Sequence, residues 1–375
     1  MRSVIFDVMV GSQTQTDATD THATGSHTTG SRVGARALRA SSRSRRRVSL
    51  GLASLAAVAS FGLIAACTPP PSDPGSPPTT LHPLPEPPSE FSVLTYNVAG
   101  LPQGISSSNP EWNIPLISPL LNAYDVVLTQ EDFDWWTPLA GILDFANYHR
   151  RLRSAVEHPY RTDVHPGPEA VGVDAGARGM LVGDGIGIMS RYPFTGEAQH
   201  AWKGCFGGVL PDGGAADCLA MKGFRVVTMT LADGRLVDVY SLHGEAGGTP
   251  EDQRLQEDDY AELAQFINAR GSDRAVIVGG DTNLHTDDVH PDGGFGADTA
   301  IWAKFLADTG LSDVCTATDC GDPGSIDKIA YRSSPTVSLS AIASEFPLER
   351  FQVNGQDLSD HPPFVATFRW DIPGD

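Results

Sequence analysis

Ala275-Val276-Ile277-Val278-Gly279-Gly280-Asp281-Thr282-Asn283 is an apolar, largely β-branched run that closes on two glycines, an acid and an amide. The apolar part reads as a short buried strand. The glycines let the chain turn sharply or let another group come close. Asp281 and Asn283 emerge at the C-terminal edge, on one side if the extended conformation persists. A carboxylate and an amide on a rigid sheet edge suit oxygen-rich chemistry in which charge develops. Alone, the same stretch is equally an Asx-type turn closing a strand.

Working outward, the pattern recurs. Phe91 to Val98 reads as a strand with Asn97 near its end, and Val126 to Thr129 as a strand followed by Gln130-Glu131. Phe224 to Leu231 and Leu236 to Ser241 read as a hairpin, after which comes His243. Strands are also expected over Gly185 to Ser190, Ile326 to Tyr331 around Asp327, Val337 to Phe346, and Phe364 to Trp370, just after Asp360-His361. Thr249-Pro250-Glu251-Asp252 has the N-cap, the proline and the acids of a helix start, and Leu255, Leu263, Phe266 and Ile267 continue an apolar stripe. Further helices are expected over Ile114 to Ala123, limited by Pro115 and Pro119, over Trp135 to Asn147, and over Thr299 to Thr309. Tyr148 to Gly183 lacks any period and reads as a long surface loop. Strands with intervening helices imply a β core covered by helices. Asn97, Glu131, His243, Asp281, Asn283, Asp327, Asp360 and His361 then sit where a rigid scaffold presents reactive groups. Any one of them alone is more readily a surface or hydrogen-bonded residue.

The 375 residues carry a net charge of −20. The first 67 hold eight Arg and three Asp of the 26 basic and 46 acidic residues, which leaves the remainder near −25. An acidic surface repels a phosphate backbone, so nucleic acid is an unfavoured partner. Arg43-Ser44-Arg45-Arg46-Arg47 precedes an uncharged small-apolar run, Val48 through Ala66, that ends at Cys67. A basic segment, an apolar segment and small residues before a cysteine describe a lipoprotein-type export signal with Cys67 lipidated, a membrane-spanning helix being the alternative. The expected organisation is a disordered N-terminus and signal over 1–66, a proline-rich tether over 67–90, and a catalytic domain over 91–375. The protein is expected to be exported, anchored to a bacterial membrane or secreted, and monomeric. Cys205, Cys218, Cys315 and Cys320 lack zinc-site spacing. In an exported chain they read as two disulfides, with Cys205–Cys218 and Cys315–Cys320 preferred among three connectivities, or else as free buried thiols.

Taken together, LTYNVAGLP from Leu94, TQED from Thr129, MSRYP from Met189, SLHGEAGG from Ser241, GGDTN from Gly279, GSIDKI from Gly324 and LSDHPP from Leu358 resemble the endonuclease/exonuclease/phosphatase superfamily over about residues 91–370. The resemblance implies an α+β, deoxyribonuclease I-like fold: a four-layered α/β/β/α sandwich of two mainly antiparallel sheets flanked by helices. It implies Glu131 as principal ligand of Mg²⁺, or of another divalent cation such as Mn²⁺, with Asn97 in or beside the metal sphere and Asp360 assisting the metal or the histidine. It implies His361 as general base, oriented by Asp327, with Asp281 and Asn283 positioning the nucleophile. His243 would stabilise developing charge or help protonate the leaving group. The segment Trp202 to Phe224 and the His243-Gly244-Glu245-Ala246-Gly247 loop are similar to those of bacterial neutral sphingomyelinases. A phospholipid phosphodiester, with sphingomyelin as the leading example, is the substrate so implied, and Trp135, Trp136, Trp202 and Phe206 are candidates for touching a bilayer or, more simply, core residues. Two features depart from the pattern: the extra acid Asp132 beside Glu131, and the loop from Tyr148 to Gly183. An extracellular nuclease, a small phosphate-ester phosphatase and an inactive surface binding protein are the competing readings.

Overall fold

A computed structural model describes residues 89–103, 106–134, 147–163, 182–208, 214–286 and 297–373. The expected export signal, Cys67, nearly all of the tether, Trp135, Trp136 and most of the 135–147 helix lie outside the described residues. The strands are β1 (Glu90–Asn97), β2 (Val126–Gln130), β3 (Tyr160–Arg161), β4 (Gly187–Ser190), β5 (Phe194–Ala201), β6 (Gly223–Thr230), β7 (Leu236–His243), β8 (Ala275–Asp281), β9 (Ser312–Asp313), β10 (Asp327–Arg332), β11 (Ser338–Glu345), β12 (Gln352–Val353), β13 (Gln356–Asp357) and β14 (Phe364–Asp371). The helices are α1 (Pro110–Leu120), α2 (Tyr148–Leu152), α3 (Pro250–Ala269), α4 (Asp298–Thr309) and α5 (Val314–Thr318).

Two six-stranded sheets form, in the orders β11-β14-β1-β2-β4-β3 and β5-β6-β7-β8-β10-β9. Each is antiparallel except for one pair: β1 runs parallel to β2, and β7 to β8. Parallel neighbours need a crossover, and α1 and α3 supply the two. The sheets face each other through a core that includes Phe91, Val93, Val126, Leu128, Val237, Val239, Ala275, Ile277 and Ile329. On the far side of the second sheet, Val226, Tyr240, Leu242, Val276 and Val278 pack on α3 and α4 through Tyr260, Leu263, Ile267 and Phe305. On the far side of the first, Leu94, Tyr96 and Val127 meet Ile114 and Ile117 of α1. These layers are the expected four-layered sandwich.

Helix α3 starts as its sequence predicts. Thr249 accepts from the Asp252 amide at 3.3 Å, and Asp252 accepts from the Thr249 amide at 2.9 Å, a capping box that satisfies two end donors. Three local readings need correction. Helix α1 runs through Pro115 and Pro119. Each proline forfeits one intrahelical bond, and burial of Ile114 and Ile117 offsets the loss. The expected loop over Tyr148–Gly183 holds α2 and β3 among its described residues. Strand β5 was not expected: it lies at a sheet edge, its sequence FTGEAQHA does not alternate, and its register with β6 shifts between Thr195 and Ala198. Among the described residues no helix is long and apolar enough to cross a membrane.

Candidate active site

Strand register builds the site. Across the second sheet His243 lies opposite Asp281, and Asp281 opposite Asp327, so three ionisable residues stand in a row over β7, β8 and β10. Side chains alternate along a strand, and these three continue the positions of Val239, Ile277 and Ile329, which face the other sheet. In the first sheet Asn97 lies opposite Gln130, and Asn97 continues the face of Phe91 and Val93. The core face thus changes, at one end of the sandwich, from hydrocarbon to polar groups. A polar floor marks the change. Thr95 Oγ1 donates to Gln130 Oε1 at 3.3 Å, and Gln130 Nε2 donates to Ser241 Oγ at 3.1 Å, which ties the two sheets together.

Above that floor Asn97 Nδ2 donates to Glu131 Oε1 at 3.1 Å and to Asp281 Oδ2 at 3.0 Å. Asn97 Oδ1 accepts from the Ala99 amide at 3.0 Å, and Asp281 Oδ1 accepts from the Asn283 amide at 3.0 Å. Both strands therefore end in the same turn, with Ala99 at φ 50° and Asn283 at φ 51°. The left-handed conformation at Asn283 overturns the expectation that it shares a side with Asp281 by staying extended. Its Nδ2 donates to the Gly244 carbonyl instead, at 3.1 Å.

His243 Nε2 stands 3.4 Å from Asp281 Oδ2 and 3.9 Å from Glu131 Oε1. Its Nδ1 is buried without a hydrogen-bond partner among the described residues, whereas Nε2 faces the two carboxylates. Burial and the nearby Lys222 ammonium hold its pKa well below that of an ordinary imidazole. His361 is the converse case. Its Nδ1 lies 2.9 Å from Asp327 Oδ2 and its Nε2 3.7 Å from Asp281 Oδ2. Burial works against its charged form, but the Asp327 and Asp281 carboxylates outweigh burial and raise its pKa well above the usual value. The two imidazoles that face Asp281 are thus shifted in opposite directions.

Burial pushes the Glu131 carboxyl up to about 7, against the opposing effects of His361 and the Asn97 amide. Asp327 rises to about 6, also by burial. Asp281 shifts the other way: His361, His243 and Lys222 outweigh its burial and lower its pKa. Glu131, His243 and Asp281 form one group whose ligand atoms lie within 4.8 Å of one another, and Asp281, Asp327 and His361 form a second. These oxygen-rich donors fit a hard divalent cation such as Mg²⁺ or Mn²⁺.

Asp360 does not join them. It is exposed, and its Oδ2 accepts from Ser107 Oγ at 2.5 Å. The residue before it is the one that reaches inward, since Ser359 Oγ donates to the Asn97 carbonyl at 2.7 Å. Sequence reasoning missed Ser359 and Lys222. Lys222 is buried, paired with Asp217, and donates to the Gly244 carbonyl at 3.2 Å. Burial opposes the ammonium, but Asp217 outweighs it and raises its pKa. The signal available for Lys222 was its place directly before Gly223 and β6. Trp202 is a core residue, its ring 5.4 Å from Phe224 and its Nε1 donating to the His243 carbonyl at 2.8 Å, and not a bilayer contact. The disulfides are Cys205–Cys218 and Cys315–Cys320, the local pairing.

Over 299 residues the chain is 30% identical to sphingomyelinases of Mycobacterium bovis and Mycobacterium tuberculosis, which covers 75% of this chain and 53% of each of those proteins. It thus spans about half the length of these curated relatives. A phospholipase C of Staphylococcus aureus is 29% identical over 174 residues, 43% of this chain and 46% of that protein. The crystal structure of the Staphylococcus aureus beta toxin shares the fold, with a TM-score of 0.50, 19% identity, and coverage of 74% of this chain and 99% of that one. The profile of the endonuclease/exonuclease/phosphatase family matches residues 94–361, and the chain belongs to that family.

Proposed function

We propose that this protein is a divalent-cation-dependent phosphodiesterase that cleaves a phospholipid, with sphingomyelin as its leading substrate, by attack of water on phosphorus. The observation that carries the reading is the His361–Asp327 pair, at 2.9 Å, set against the Glu131–Asn97–Asp281 group. Similarity to sphingomyelinases over 75% of the chain supports the substrate class, and the two disulfides suit an exported protein.

Glu131, with Asp281 and Asn97 beside it, would hold the cation. A Mg²⁺ or Mn²⁺ ion held there would supply Lewis acidity toward a phosphoryl oxygen, and its positive charge among the carboxylates would lower the pKa of His361. The chain's own residues do the rest. Asp327 fixes the His361 ring through Nδ1, which leaves Nε2 to take a proton from water, and it stabilises the imidazolium that results. Asp281 Oδ2 lies within 4 Å of both imidazoles and orients the attacking water between them. His243, neutral by its lowered pKa, donates from Nε2 to charge that develops on the phosphoryl group. Asn97 keeps Glu131 and Asp281 apart and oriented. Asn283 holds the Gly244 carbonyl, and through it the loop after β7, in place. Asp360 acts from the rim, by fixing the Ser107 loop next to His361.

The test is release of phosphocholine from sphingomyelin vesicles by the full chain with Mg²⁺, with loss of release in EDTA. Nicking of DNA without lipid cleavage makes the protein a nuclease instead, and activity on neither substrate refutes the hydrolase.

A further inference from the structure

We infer that Asp132, gripped by His149 and Arg153, is a positioning residue that fixes the Glu131 carboxylate in its cation-binding orientation; the inference rests on the role given above to Glu131. Asp132 is the second acid of the Glu131-Asp132 pair that follows β2. It does not point into the site. Its side chain is 1% exposed, with Oδ2 at 2.8 Å from His149 Nδ1 and 3.8 Å from Arg153 Nη1. Burying a carboxylate is costly unless it is paired, and His149 and Arg153 supply the pairing here.

What the acid does follows from the backbone. Glu131 has φ 58°, the left-handed region, which costs an ordinary residue about 1 kcal/mol or more and persists only where the surroundings enforce it. Two glycines close on it from either side. A β-carbon on Gly100 would sit 2.0 Å from the Glu131 carbonyl oxygen, and one on Gly185 would sit 2.5 Å from the Phe133 ring and 3.1 Å from Glu131 Cα. The neighbours of Glu131 in the chain are then pinned. Gln130 is held by Thr95 and Ser241. The Asp132 amide donates to the Gly185 carbonyl at 3.2 Å, while its carboxylate is anchored on α2 through His149 and at the end of α2 through Arg153. The left-handed kink sends one acid to the site and the next into the charged pocket behind it. Release of Asp132 frees the torsion that aims Glu131. Partners one step removed from a metal ligand commonly set affinity in this way.

A purely structural role, tethering α2 to β2, would lower stability without changing cation affinity, so the decisive readout is binding without substrate. Mn²⁺ is titrated into the full chain and followed by its electron paramagnetic resonance signal, with Glu131→Gln as the variant that removes the site. Asp132→Asn should weaken Mn²⁺ binding about tenfold or more, with melting in EDTA close to the parent. His149→Ala should weaken it comparably, whereas His149→Asn, whose side-chain amide can replace Nδ1, should restore binding to within about threefold of the parent. If Asp132→Asn does not fold, the two His149 variants decide. Parent-like Mn²⁺ affinity in Asp132→Asn, or in both His149 variants, overturns the inference while leaving the Glu131 reading intact. A parent that binds no Mn²⁺ through Glu131 overturns the Glu131 reading and this inference with it.

Discussion

Replacing Glu131 with glutamine should make the cation-free protein more stable at alkaline pH. Burial raises the Glu131 carboxyl from its ordinary 4.5 to about 7. The folded state therefore holds this proton more tightly than the unfolded chain does. Its contribution to stability is whole below pH 4.5 and is lost as pH rises through about 7. A gap of two to three units, at about 1.4 kcal/mol each, amounts to on the order of 3 kcal/mol. Glutamine never ionises, and it keeps the oxygen that accepts from Asn97 Nδ2, at 3.1 Å in the parent.

The assay is thermal melting of parent and Glu131→Gln in EDTA at two pH values, one at the acid end of that window and one near 8. His361, whose pKa is also raised, loses stability in both proteins as pH rises, so the difference between the two reports on Glu131 together with its interaction with His361. That difference should be small at the acid end and grow to roughly 5 °C or more near pH 8 in favour of the variant. Mg²⁺ at about 1,000 times its Kd should reverse the order, because it then stabilises the parent by about 4.1 kcal/mol, more than the deficit, and the variant lacks the site. A difference that is the same at both pH values, or no reversal with Mg²⁺, refutes the claim that this carboxylate is held for a cation.

Three shorter predictions concern the rest of the site and its support. His361→Ala and Asp327→Asn should each lower kcat/KM for sphingomyelin by about 100-fold or more, the ordinary contribution of a general base, and a value within about tenfold of the parent rejects the role assigned to that residue. Trp202→Phe should cost about 1 kcal/mol in urea unfolding for the lost bond to the His243 carbonyl, and an unchanged midpoint shows that bond to be dispensable. Replacing Cys205 and Cys218 with serine should cost about 3 kcal/mol, against about 2 for the shorter Cys315–Cys320 loop, as loop-closure entropy requires. The reverse order in melting experiments would show that native contacts of the disulfide loops, not closure entropy, set their value.

The strands that carry the site were legible because burial on both faces forces long apolar runs. Ala275–Val278 and Val126–Leu128 are such runs, Val237–Leu242 is one interrupted by Asp238 and Ser241, and their polar ends followed. Less was legible where tertiary packing overrode local preference. Helix α1 survives two prolines because its buried face repays the lost bonds, and a sequence shows the prolines but not the face. Strand β5 has one partner and a shifted register, so it carries no alternation to read. Asp360 and Asn283 show a different limit. Each stands at a position where the sequence says polar and strand end, but whether the side chain turns inward depends on one backbone torsion, as at Asn283, or on which neighbour has a hydroxyl to offer, as Ser107 does for Asp360.

The position of the site follows from the two parallel pairs. In each, two adjacent strands end at the same level, β1 with β2 and β7 with β8, and the crossover helix leaves their C-terminal ends open. An antiparallel pair cannot do this, since one strand's end is the other's beginning, capped by a turn. Stacking two parallel pairs face to face brings four strand ends together: Asn97, Gln130 with Glu131 after it, His243 and Asp281. Pleat parity then requires that a residue which continues the core face point between the sheets, where burial leaves a charge poorly solvated, and the left-handed turn at Glu131 sends its carboxylate there as well. Burial disfavours the charged forms of Glu131 and Asp327 in the cation-free fold, as their raised pKa values record, whereas the two histidines and Lys222 outweigh burial at Asp281 and lower its pKa. A cation offsets that loss of solvation and in doing so is drawn to the point where His361 and His243 converge. The instability of the empty site and the affinity of the filled one are the same electrostatic energy, so a substitution that removes the first should remove the second.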